Sequence, residues 1–541
     1  MNQRGKRNRG VLPPRTGSWV PALTALLLAG TPGCNRDTAP TESTHPDEAQ
    51  HTTRTGQPPP APPPMHDTKT RAAPDQDQPE SPPGPLPPAR RVAAGPGKYE
   101  PLPSSLVPPP PDGGPFNVLF ISLDTVRADA LGCYGQPRFQ TPTIDRLAAS
   151  GVRFDQAITH IPETALSHWA IFTSVEPRLH DNVNRFGTSR YVGPLAQEIF
   201  KAHGYTTGAV IGGVTLRSDV GLHRGFDLYD EDFAFSPDRL KRPGREVTAR
   251  AVDFIRNHAQ VPFFLFVHYF DAHFPYLPPP PFDKAYDPDY TGTLDGSDKA
   301  LAPFRDGKKT IAPRDLEHVK ALYGGEVAFL DTQVRELLAT LSEQGLGKNT
   351  LVVLFSDHGE SFEHGYYFNH AGVLYDSTLH IPLIFSLPGV IPAGRVVETQ
   401  VRAIDILPTV LQLLGLPGDV KFQGASLVPL VQGREQHIQA AFSLTDPWRP
   451  GALESVRTEG WKLILGPGDR QTLFEVSRDP DELHPIDGAN HPIARVLADE
   501  HTRHAKQLEA LAARIMGPRP APRPELSPRE LEQLKKLGYV R

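Results

Sequence analysis

The stretch NVLFISLD at residues 117–124 decides the fold class, because an apolar run of strand length ends there in an acidic residue. Two further runs end in an aspartate and a histidine: FFLFVHYF at 263–270 before Asp271 and His273, and LVVLFS at 351–356 before Asp357 and His358. Short runs rich in Val, Ile and Phe are typical of strands that are buried on both faces. Ligands of open α/β sheets bind outside the carboxyl ends of such strands. The three runs therefore predict that distant carboxylates and imidazoles meet at one sheet edge, in a metal-dependent enzyme.

Helical and strand-like patterns alternate around these runs, which predicts a mostly parallel central sheet between layers of helices. The predicted helices lie near residues 141–148, 165–173, 195–202, 247–258 and 316–341, with further strands near 151–154 and 205–211. Beyond about residue 435 the pattern changes to strand-like segments at 455–457, 461–465 and 472–476, followed by a helix at about 492–516. These segments predict a smaller C-terminal antiparallel sheet of four strands plus a helix.

The N-terminus has the pattern of an export signal, which we assign to residues 1–33. Five basic residues precede a short apolar segment at 20–30, which is too short to span a bilayer comfortably. Cys34 follows Gly33 and resembles the lipidation site of bacterial lipoproteins, whereas ordinary cleavage and release is the alternative. We therefore predict an exported protein of the periplasm or cell envelope, which contacts the membrane through a lipid anchor at Cys34.

Composition separates a tether from the globular part of the 541-residue chain. Residues 35–115 contain 23 of the 60 prolines and few aliphatic runs, so a disordered tether is predicted over 34–115. We predict a catalytic domain at 116–435, a C-terminal subdomain at 436–520 and a tail at 521–541. The net charge is −6 and no basic stripe is present, so no nucleic-acid partner is expected. The only cysteines are Cys34 and Cys133, and a lipidated Cys34 would leave no disulfide.

An ordered set of motifs resembles the sulfatase family, which belongs to the alkaline-phosphatase superfamily. The motifs are LDTVRADALGCYG at 123–135, TPTIDRLA at 141–148, RGFD at 224–227, DAHFPY at 271–276, SDHGE at 356–360, DILPTV at 405–410 and LGYV at 537–540. The resemblance covers about residues 115–541. It implies an alkaline-phosphatase-like α/β sandwich that hydrolyses sulfuric or phosphoric esters.

The resemblance implies a metal site at Asp124, Asp357 and His358, with the nucleophile as a further ligand. Asp124 in isolation would fit a helix cap or a turn equally well. The donor types permit one divalent ion, Ca²⁺, Mg²⁺, Mn²⁺ or Zn²⁺. A second ion held by Asp271 with His364 or His370 is an open alternative, as is a substrate-binding role for either histidine in place of the lysine that sulfatases often carry in this region.

Thr164, within PETALSHW at 162–169, is the candidate nucleophile and a candidate metal ligand. A hydroxyl bound to a divalent metal becomes a better alkoxide source, and a helix N-terminus favours an anionic substrate. A plain helix cap is the alternative. Sulfatases carry Cys or Ser at this position, matured to formylglycine, within Cys/Ser-x-Pro-Ser-Arg. Thr cannot be matured in this way, and among the following residues only Ser167 matches, whereas superfamily members with a Thr nucleophile act on phosphate esters, phosphodiesters or phosphonates.

Three further residues complete the candidate catalytic set. His273 matches the family position that contacts the transferred group or the leaving oxygen, and it could protonate that oxygen; a buried structural histidine is the alternative. Arg127 could clamp an oxyanion or pair with Asp129. His168 replaces the arginine that helps to hold the site in sulfatases.

The predicted function is hydrolysis of a phosphate, phosphonate or sulfate ester through a covalent Thr164 intermediate. The predicted substrate is a small anionic ester or an envelope glycan or lipid. The alternatives are an envelope phospho-group transferase of the same superfamily and a degenerate, non-catalytic member that binds anions.

Overall fold

The computed structural model describes residues 113–180, 189–232, 241–417, 422–434, 439–446 and 451–517. The predicted signal peptide, Cys34, the motif at 537–540, the tail and nearly all of the predicted tether lie outside the described residues. Among the helices within these ranges, none has both the length and the apolar character that a membrane crossing requires.

Strands and helices alternate along most of the described chain. The strands, numbered in chain order, are β1 (Asn117–Leu123), β2 (Val152–Phe154), β3 (Ala157–Ile158), β4 (Thr206–Ile211), β5 (Leu228–Asp230), β6 (Phe263–Tyr269), β7 (Thr350–Phe355), β8 (Ser361–Glu363), β9 (Tyr366–Asn369), β10 (His380–Ile381), β11 (Leu383–Ser386), β12 (Arg395–Val397), β13 (Val401–Arg402), β14 (Ala441–Leu444), β15 (Glu454–Arg457), β16 (Lys462–Leu465), β17 (Gln471–Phe474) and β18 (Ile486–Asp487). The helices are α1 (Pro142–Ala149), α2 (Thr164–Thr173), α3 (Ala196–Ala202), α4 (Gly244–Asn257), α5 (Asp298–Arg305), α6 (Pro313–Glu343), α7 (Asp376–Leu379), α8 (Ile406–Leu413), α9 (Val428–Val431) and α10 (Pro492–Ile515).

Within the described ranges, the central sheet has eight strands in the order β12-β2-β11-β7-β1-β6-β4-β5. Strand β1 pairs in parallel with both β6 and β7, and β4 pairs in parallel with β6 and β5. Strand β11 is antiparallel to its neighbours β7 and β2. The predicted mostly parallel sheet is therefore confirmed. The three strands that carry the metal-type residues, β7, β1 and β6, are adjacent at its centre.

The sheet has a separate hydrophobic core on each face, because alternate side chains of a strand point in opposite directions. Val118 and Phe120 of β1 pack in a cluster that includes residues of α2, α3 and α8. Leu119 and Ile121 pack in a second cluster with residues of α1, α4 and α6. Helices thus cover both faces, and the predicted alkaline-phosphatase-like sandwich is confirmed.

The C-terminal part of the chain forms a small antiparallel sheet in the order β14-β15-β16-β17-β18, followed by α10. The predicted antiparallel sheet and helix are confirmed, but the prediction of four strands is wrong, because the sheet has five strands in the part of the chain that the structure describes. Strand β18 has only two residues, Ile486–Asp487, which is too short for an alternation of apolar and polar side chains to be visible in the sequence. The boundaries at residues 435 and 520 stay predictions.

Candidate active site

The ends of the central strands converge on a buried cluster of two carboxylates and an imidazole. Asp124 follows β1, and its backbone N–H donates to Tyr269 O at the end of β6 at 2.9 Å. Asp357 and His358 follow β7, and His358 Nε2 lies 3.4 Å from Asp357 Oδ2 and 3.9 Å from Asp124 Oδ1. All three side chains are fully buried. Parallel neighbours end at the same sheet edge, so Asp124 and the distant pair Asp357 and His358 become one site.

Thr164 is the first residue of α2 and joins this cluster through its hydroxyl. Its Oγ1 lies 3.3 Å from Asp124 Oδ2 and 3.3 Å from His358 Nε2. All ten residues of α2 are buried, so packing on every side holds the helix and its first residue in place. The structure therefore brings together the four residues that are predicted as metal ligands.

Most of the polar atoms that face one another in this cluster are hydrogen-bond acceptors. His358 Nδ1–H donates to Gly359 O at 2.9 Å, so the Nε2 lone pair faces the carboxylates and Thr164. Burial lowers the pKa of His358 to about 4, which keeps the ring neutral at neutral pH. Burial, reinforced by the charge of Asp357, raises the pKa of Asp124 well above its usual range. Burial also raises the pKa of Asp357.

Two carboxylate oxygens in this cluster have the arrangement expected of metal ligands. Asp357 Oδ1 accepts hydrogen bonds from His358 N at 2.9 Å and Thr125 N at 3.3 Å. Among the residues that the structure describes, Asp124 Oδ1 and Asp357 Oδ2 have no hydrogen-bond partner. A buried carboxylate oxygen without a partner is unfavourable unless a cation neutralises it. The donor set of two carboxylates, one imidazole and one hydroxyl therefore fits a divalent cation.

His168 supports the backbone of Thr164. Its Nδ1–H donates to Thr164 O at 2.7 Å, and its Nε2 accepts from the Ser122 hydroxyl at 2.9 Å. Burial lowers the pKa of His168, so the neutral ring has one N–H and one lone pair, and both are used. The residue that replaces the sulfatase arginine thus connects the first turn of α2 to β1.

His268 contacts the cluster from β6, and reasoning from the sequence misses it. Its Nε2 lies 3.1 Å from Asp124 Oδ2, and its ring meets that of His168 edge to face at a centroid distance of 5.1 Å. His168, His268 and Asp357 form a second group whose ligand-type atoms all lie within 4.8 Å of one another. Because both nitrogens of His168 are hydrogen-bonded, we assign this group to support of the first cluster. The available signal is one imidazole within the otherwise apolar run FFLFVHY.

His273 and His370 form a pair beside the cluster. His273 Nδ1–H donates to Phe274 O and His370 Nδ1–H donates to Pro162 O, each at 2.7 Å. The two Nε2 atoms face each other at 3.2 Å. The His370 ring also stacks on that of His358, with a centroid distance of 4.1 Å. This pair connects the loop after β6 to the residues that follow β7.

Arg127 lies in an ion-pair network outside the cluster. Its guanidinium pairs with Asp129 at 2.7 Å and with Glu363 at 2.9 Å. The alternative of pairing with Asp129 is therefore the one observed. A guanidinium that is bound by two carboxylates is poorly available to an oxyanion, so the predicted clamp role is not carried further.

The second ion site predicted around Asp271 is not assembled in the described residues. Asp271 Oδ1 accepts from Gly244 N at 3.0 Å and so caps the start of α4. His364 is exposed and stacks on Tyr375 at a centroid distance of 3.9 Å. Of the three residues considered for that site, only His370 approaches the cluster.

The model of the Sulfatase family matches residues 116–416, and a model of the C-terminal region of N-sulphoglucosamine sulphohydrolase matches residues 362–509. The arylsulfatase of Clostridium perfringens is 26% identical over 432 residues, which cover 68% of this chain and 89% of that protein. Two solved structures share the fold. A sulfatase-like protein of Bacteroides fragilis has a TM-score of 0.61 at 18% identity, covering 75% of this chain and 98% of its own. A phosphonate monoester hydrolase of Agrobacterium radiobacter has a TM-score of 0.58 at 22% identity, covering 74% and 96%.

Proposed function

The chain belongs to the sulfatase family of sulfuric and phosphoric ester hydrolases, and from this premise we propose that it cleaves phosphate or phosphonate esters through a covalent ester on Thr164. The observation that carries the proposal is the position of Thr164 Oγ1, 3.3 Å from Asp124 Oδ2 and 3.3 Å from His358 Nε2. Sulfate esters are the less favoured substrate class.

The identity of the nucleophile supports this order of preference. Thr164 has one hydroxyl on its β-carbon and cannot become formylglycine. An ester formed on Thr164 therefore has no second oxygen on the same carbon that could expel the transferred group. Release requires water to attack the transferred phosphorus or sulfur itself. Superfamily members with a Thr nucleophile act on phosphorus esters, where water can attack phosphorus in this way. The same type of nucleophile is present in this site.

The first chemical step uses residues that already face the hydroxyl. Asp124 Oδ2 accepts a hydrogen bond from Thr164 Oγ1 and can take its proton as the oxygen attacks phosphorus in line, while Asp124 Oδ1 and the Nε2 lone pair of His358 stay available to a cation. The positive end of the α2 dipole lies at Thr164 and favours the negative charge of a bound anion. A divalent cation held by Asp124, Asp357, His358 and Thr164 would supply Lewis acidity, lowering the pKa of the hydroxyl and polarising the ester.

The leaving oxygen requires a proton, and His273 is the residue that we assign to it. Burial lowers the pKa of His273 well below its usual range, so the resting ring is neutral: its Nδ1–H donates to Phe274 O, and its Nε2, 3.2 Å from His370 Nε2, has a lone pair. In the proposed step Nε2 first takes up the proton that Thr164 releases and then gives it to the leaving oxygen. The bond between phosphorus and the leaving oxygen breaks as that oxygen takes the proton. Water then attacks the phosphorus of the Thr164 ester, and the bond between phosphorus and Thr164 Oγ1 breaks. The hydroxyl of that water stays on phosphorus, and its second proton restores the Thr164 hydroxyl.

The proposal is tested with an activity panel of four nitrophenyl esters: a phosphate monoester, a phosphate diester, a phosphonate monoester and a sulfate. Each is assayed with Mg²⁺, Ca²⁺, Mn²⁺ or Zn²⁺ added to chelator-treated protein. We expect kcat/KM for at least one phosphorus ester to exceed that for the sulfate by more than about tenfold. Turnover of the sulfate alone would contradict the proposed substrate class, and no turnover of any ester with any cation would favour the non-catalytic alternative.

Replacing His268 with Ala should weaken cation binding by about 10- to 100-fold, because a residue that hydrogen-bonds a ligating carboxylate keeps it oriented. The contact concerned is that between His268 Nε2 and Asp124 Oδ2 at 3.1 Å. The dissociation constant is measured by calorimetric titration of Mn²⁺ or Zn²⁺ into the chelator-treated protein. His258→Ala is the control, since His258 directly follows α4 and its Nδ1 bonds Phe254 O in the last turn of that helix. Equal affinity in His268→Ala and wild type would remove His268 from the site.

A further inference from the structure

The position of the His273 ring depends on the backbone of a short loop, residues 271–277, that follows β6. The ring donates from Nδ1 to Phe274 O, the carbonyl of the next residue, and stacks on Phe270 at a centroid distance of 4.3 Å. Both contacts are made to residues close to His273 in the chain, and they fix the ring relative to the loop. The loop contacts neighbouring elements through His370 Nε2, 3.2 Å from His273 Nε2, and through Asp271 Oδ1, which caps α4. A further group connects the backbone on both sides of His273 to the rest of the fold.

Lys241 makes that connection at both ends of the segment around His273. Its ammonium donates to Asp271 O at 2.5 Å and lies 3.3 Å from Pro275 O. A third contact reaches Glu326 Oε1 at 2.6 Å. An ammonium has three donors, so these three oxygens account for all of them. One cation therefore closes the loop on either side of the histidine.

Glu326 connects this arrangement to the longest helix of the described chain, α6. Its Oε1 also accepts from Leu277 N at 3.0 Å, so the carboxylate contacts both the lysine and the far end of the loop. The Glu326 side chain is 1% exposed and that of Lys241 15% exposed, which places the pair in a low-dielectric environment. Burial raises the pKa of Glu326 to about 8, and Lys241 opposes that rise. Loss of the lysine would thus leave a largely neutral carboxylic acid and not a buried charge.

We propose that Lys241 is a positioning residue for the leaving-group step: through Asp271 O, Pro275 O and Glu326, it holds His273 at the distance that proton transfer requires. This inference rests on the proposed function, in which His273 protonates the leaving oxygen. Misplacing a catalytic group by about 1 Å can cost about 100-fold in rate. A lysine that only stabilised the fold would lower activity towards every substrate alike.

The experiment compares aryl esters whose phenols differ in pKa, using whichever ester class is most active in the panel. Good leaving groups need little protonation, whereas poor ones depend on the acid. We expect Lys241→Met to lower kcat/KM by about 10- to 100-fold for the poorest leaving group and by less than about threefold for the best. His273→Ala should steepen the dependence on leaving-group pKa in the same direction, and Lys241→Arg should restore part of the loss.

The double variant Lys241→Met/His273→Ala supplies the readout that a structural role would not change. If Lys241 acts through His273, removing the lysine from His273→Ala should change kcat/KM by less than about twofold, because the acid is already absent. Additive losses, or a Lys241→Met loss equal for all leaving groups, would overturn the positioning role while leaving the role of His273 intact. A His273→Ala series with unchanged leaving-group dependence would overturn both assignments.

Two further variants keep the test independent of folding. Lys241→Met/Glu326→Gln removes both charges and keeps an oxygen that can accept from Leu277 N, and it should show the same leaving-group dependence as Lys241→Met. Lys201→Met breaks an ion pair with Asp227, and it should leave kcat/KM unchanged for every ester. A normal dependence in the charge-matched double variant would overturn the proposal.

Discussion

Replacing Thr164 with Val should reduce ester cleavage by at least about 10⁴-fold, because the substitution removes the nucleophilic oxygen and keeps the size and β-branching of the side chain. The oxygen that is lost lies 3.3 Å from both Asp124 Oδ2 and His358 Nε2, where a proton acceptor is at hand. The measurement is kcat/KM for the best ester of the panel. Thr164→Ser, which keeps a hydroxyl, should retain part of the activity.

The control for Thr164→Val is the same substitution at the other end of the same helix. Thr173 is also fully buried, and its hydroxyl donates to Trp169 O at 2.6 Å. Thr173→Val should lower stability by about 1 kcal/mol through the lost hydrogen bond and change kcat/KM by less than about threefold. Unchanged turnover in Thr164→Val would remove Thr164 from the mechanism.

Rapid acid quenching of wild type during turnover should yield a phosphoryl ester on the peptide that contains Thr164. The same peptide from Thr164→Val should carry none. Identifying the acceptor to which the group passes from Thr164 distinguishes hydrolysis, where the acceptor is water, from transfer to an envelope glycan or lipid.

Replacing Asp124 with Asn should have opposite effects on activity and on the stability of the metal-free protein. Activity should fall by at least about 10³-fold, because a cation ligand and a proton acceptor are lost together. The thermal midpoint of chelator-treated protein should rise, because burial and the charge of Asp357 oppose an ionised Asp124. When the cation concentration is one hundred times the dissociation constant of the wild-type complex, the cation should stabilise wild type by about 2.7 kcal/mol. It should stabilise Asp124→Asn far less.

The pH dependence of the metal-free protein follows from the sign of the same shift. The pKa of Asp124 is raised in the folded state above its value of about 3.9 in the unfolded chain. The contribution of protonated Asp124 to the free energy of unfolding is therefore complete below the pKa of the unfolded chain. It is lost as pH rises through the pKa of the folded state. As pH increases through the folded pKa of Asp124, the free energy of unfolding of the metal-free wild type should fall. The free energy of unfolding of Asp124→Asn should fall less over the same pH range.

Asp331→Asn is the matched control for a buried carboxylate outside the site. Asp331 Oδ1 accepts from Thr143 N and Ile144 N at 2.8 Å and so caps the start of α1. This variant should be destabilised by about 1 kcal/mol through its weakened cap, but its response to added cation should equal that of wild type. An Asp124→Asn variant that still gains full stability from the cation would contradict the assigned metal ligands.

The three strands that carry the metal-type residues show how far prediction from sequence extends. The apolar run at 117–123 has the bounds observed for β1. The run at 263–270 differs from β6 by one residue at its end, and the run at 351–356 differs from β7 by one residue at each end. Such runs are recognisable because a strand that is buried on both faces needs an apolar side chain at nearly every position, and because their length and their Val, Ile and Phe content favour a strand over a buried helix. The start of α2 at Thr164 is equally visible, since a polar residue there precedes an apolar stretch.

The contacts of individual polar groups are less accessible from sequence. Arg127 is predicted either to clamp an anion or to pair with Asp129, yet Glu363, more than two hundred residues away, also pairs with it at 2.9 Å. The contact between His268 and Asp124 joins two strands whose register the sequence does not reveal. Lys241 precedes α4 and carries no motif, but it bonds the loop around His273. In each case the partner is distant in sequence, and the hydrophobic periodicity of a segment does not predict which distant atom a polar side chain will contact.

Residue order alone is enough to identify the α/β sandwich, the strand ends that carry Asp124 and Asp357, and Thr164 at the head of its helix, because burial and helix capping act over a few neighbouring residues. Only the folded chain brings Asp124, Asp357 and Thr164 together in one cluster. It also gives His168 and His268 their supporting contacts, and it pairs Arg127 with carboxylates outside the cluster. Hydrogen bonds and ion pairs depend on tenths of an ångström and on direction, and such distances are set by how β7, β1 and β6 align and by how the helices pack on them.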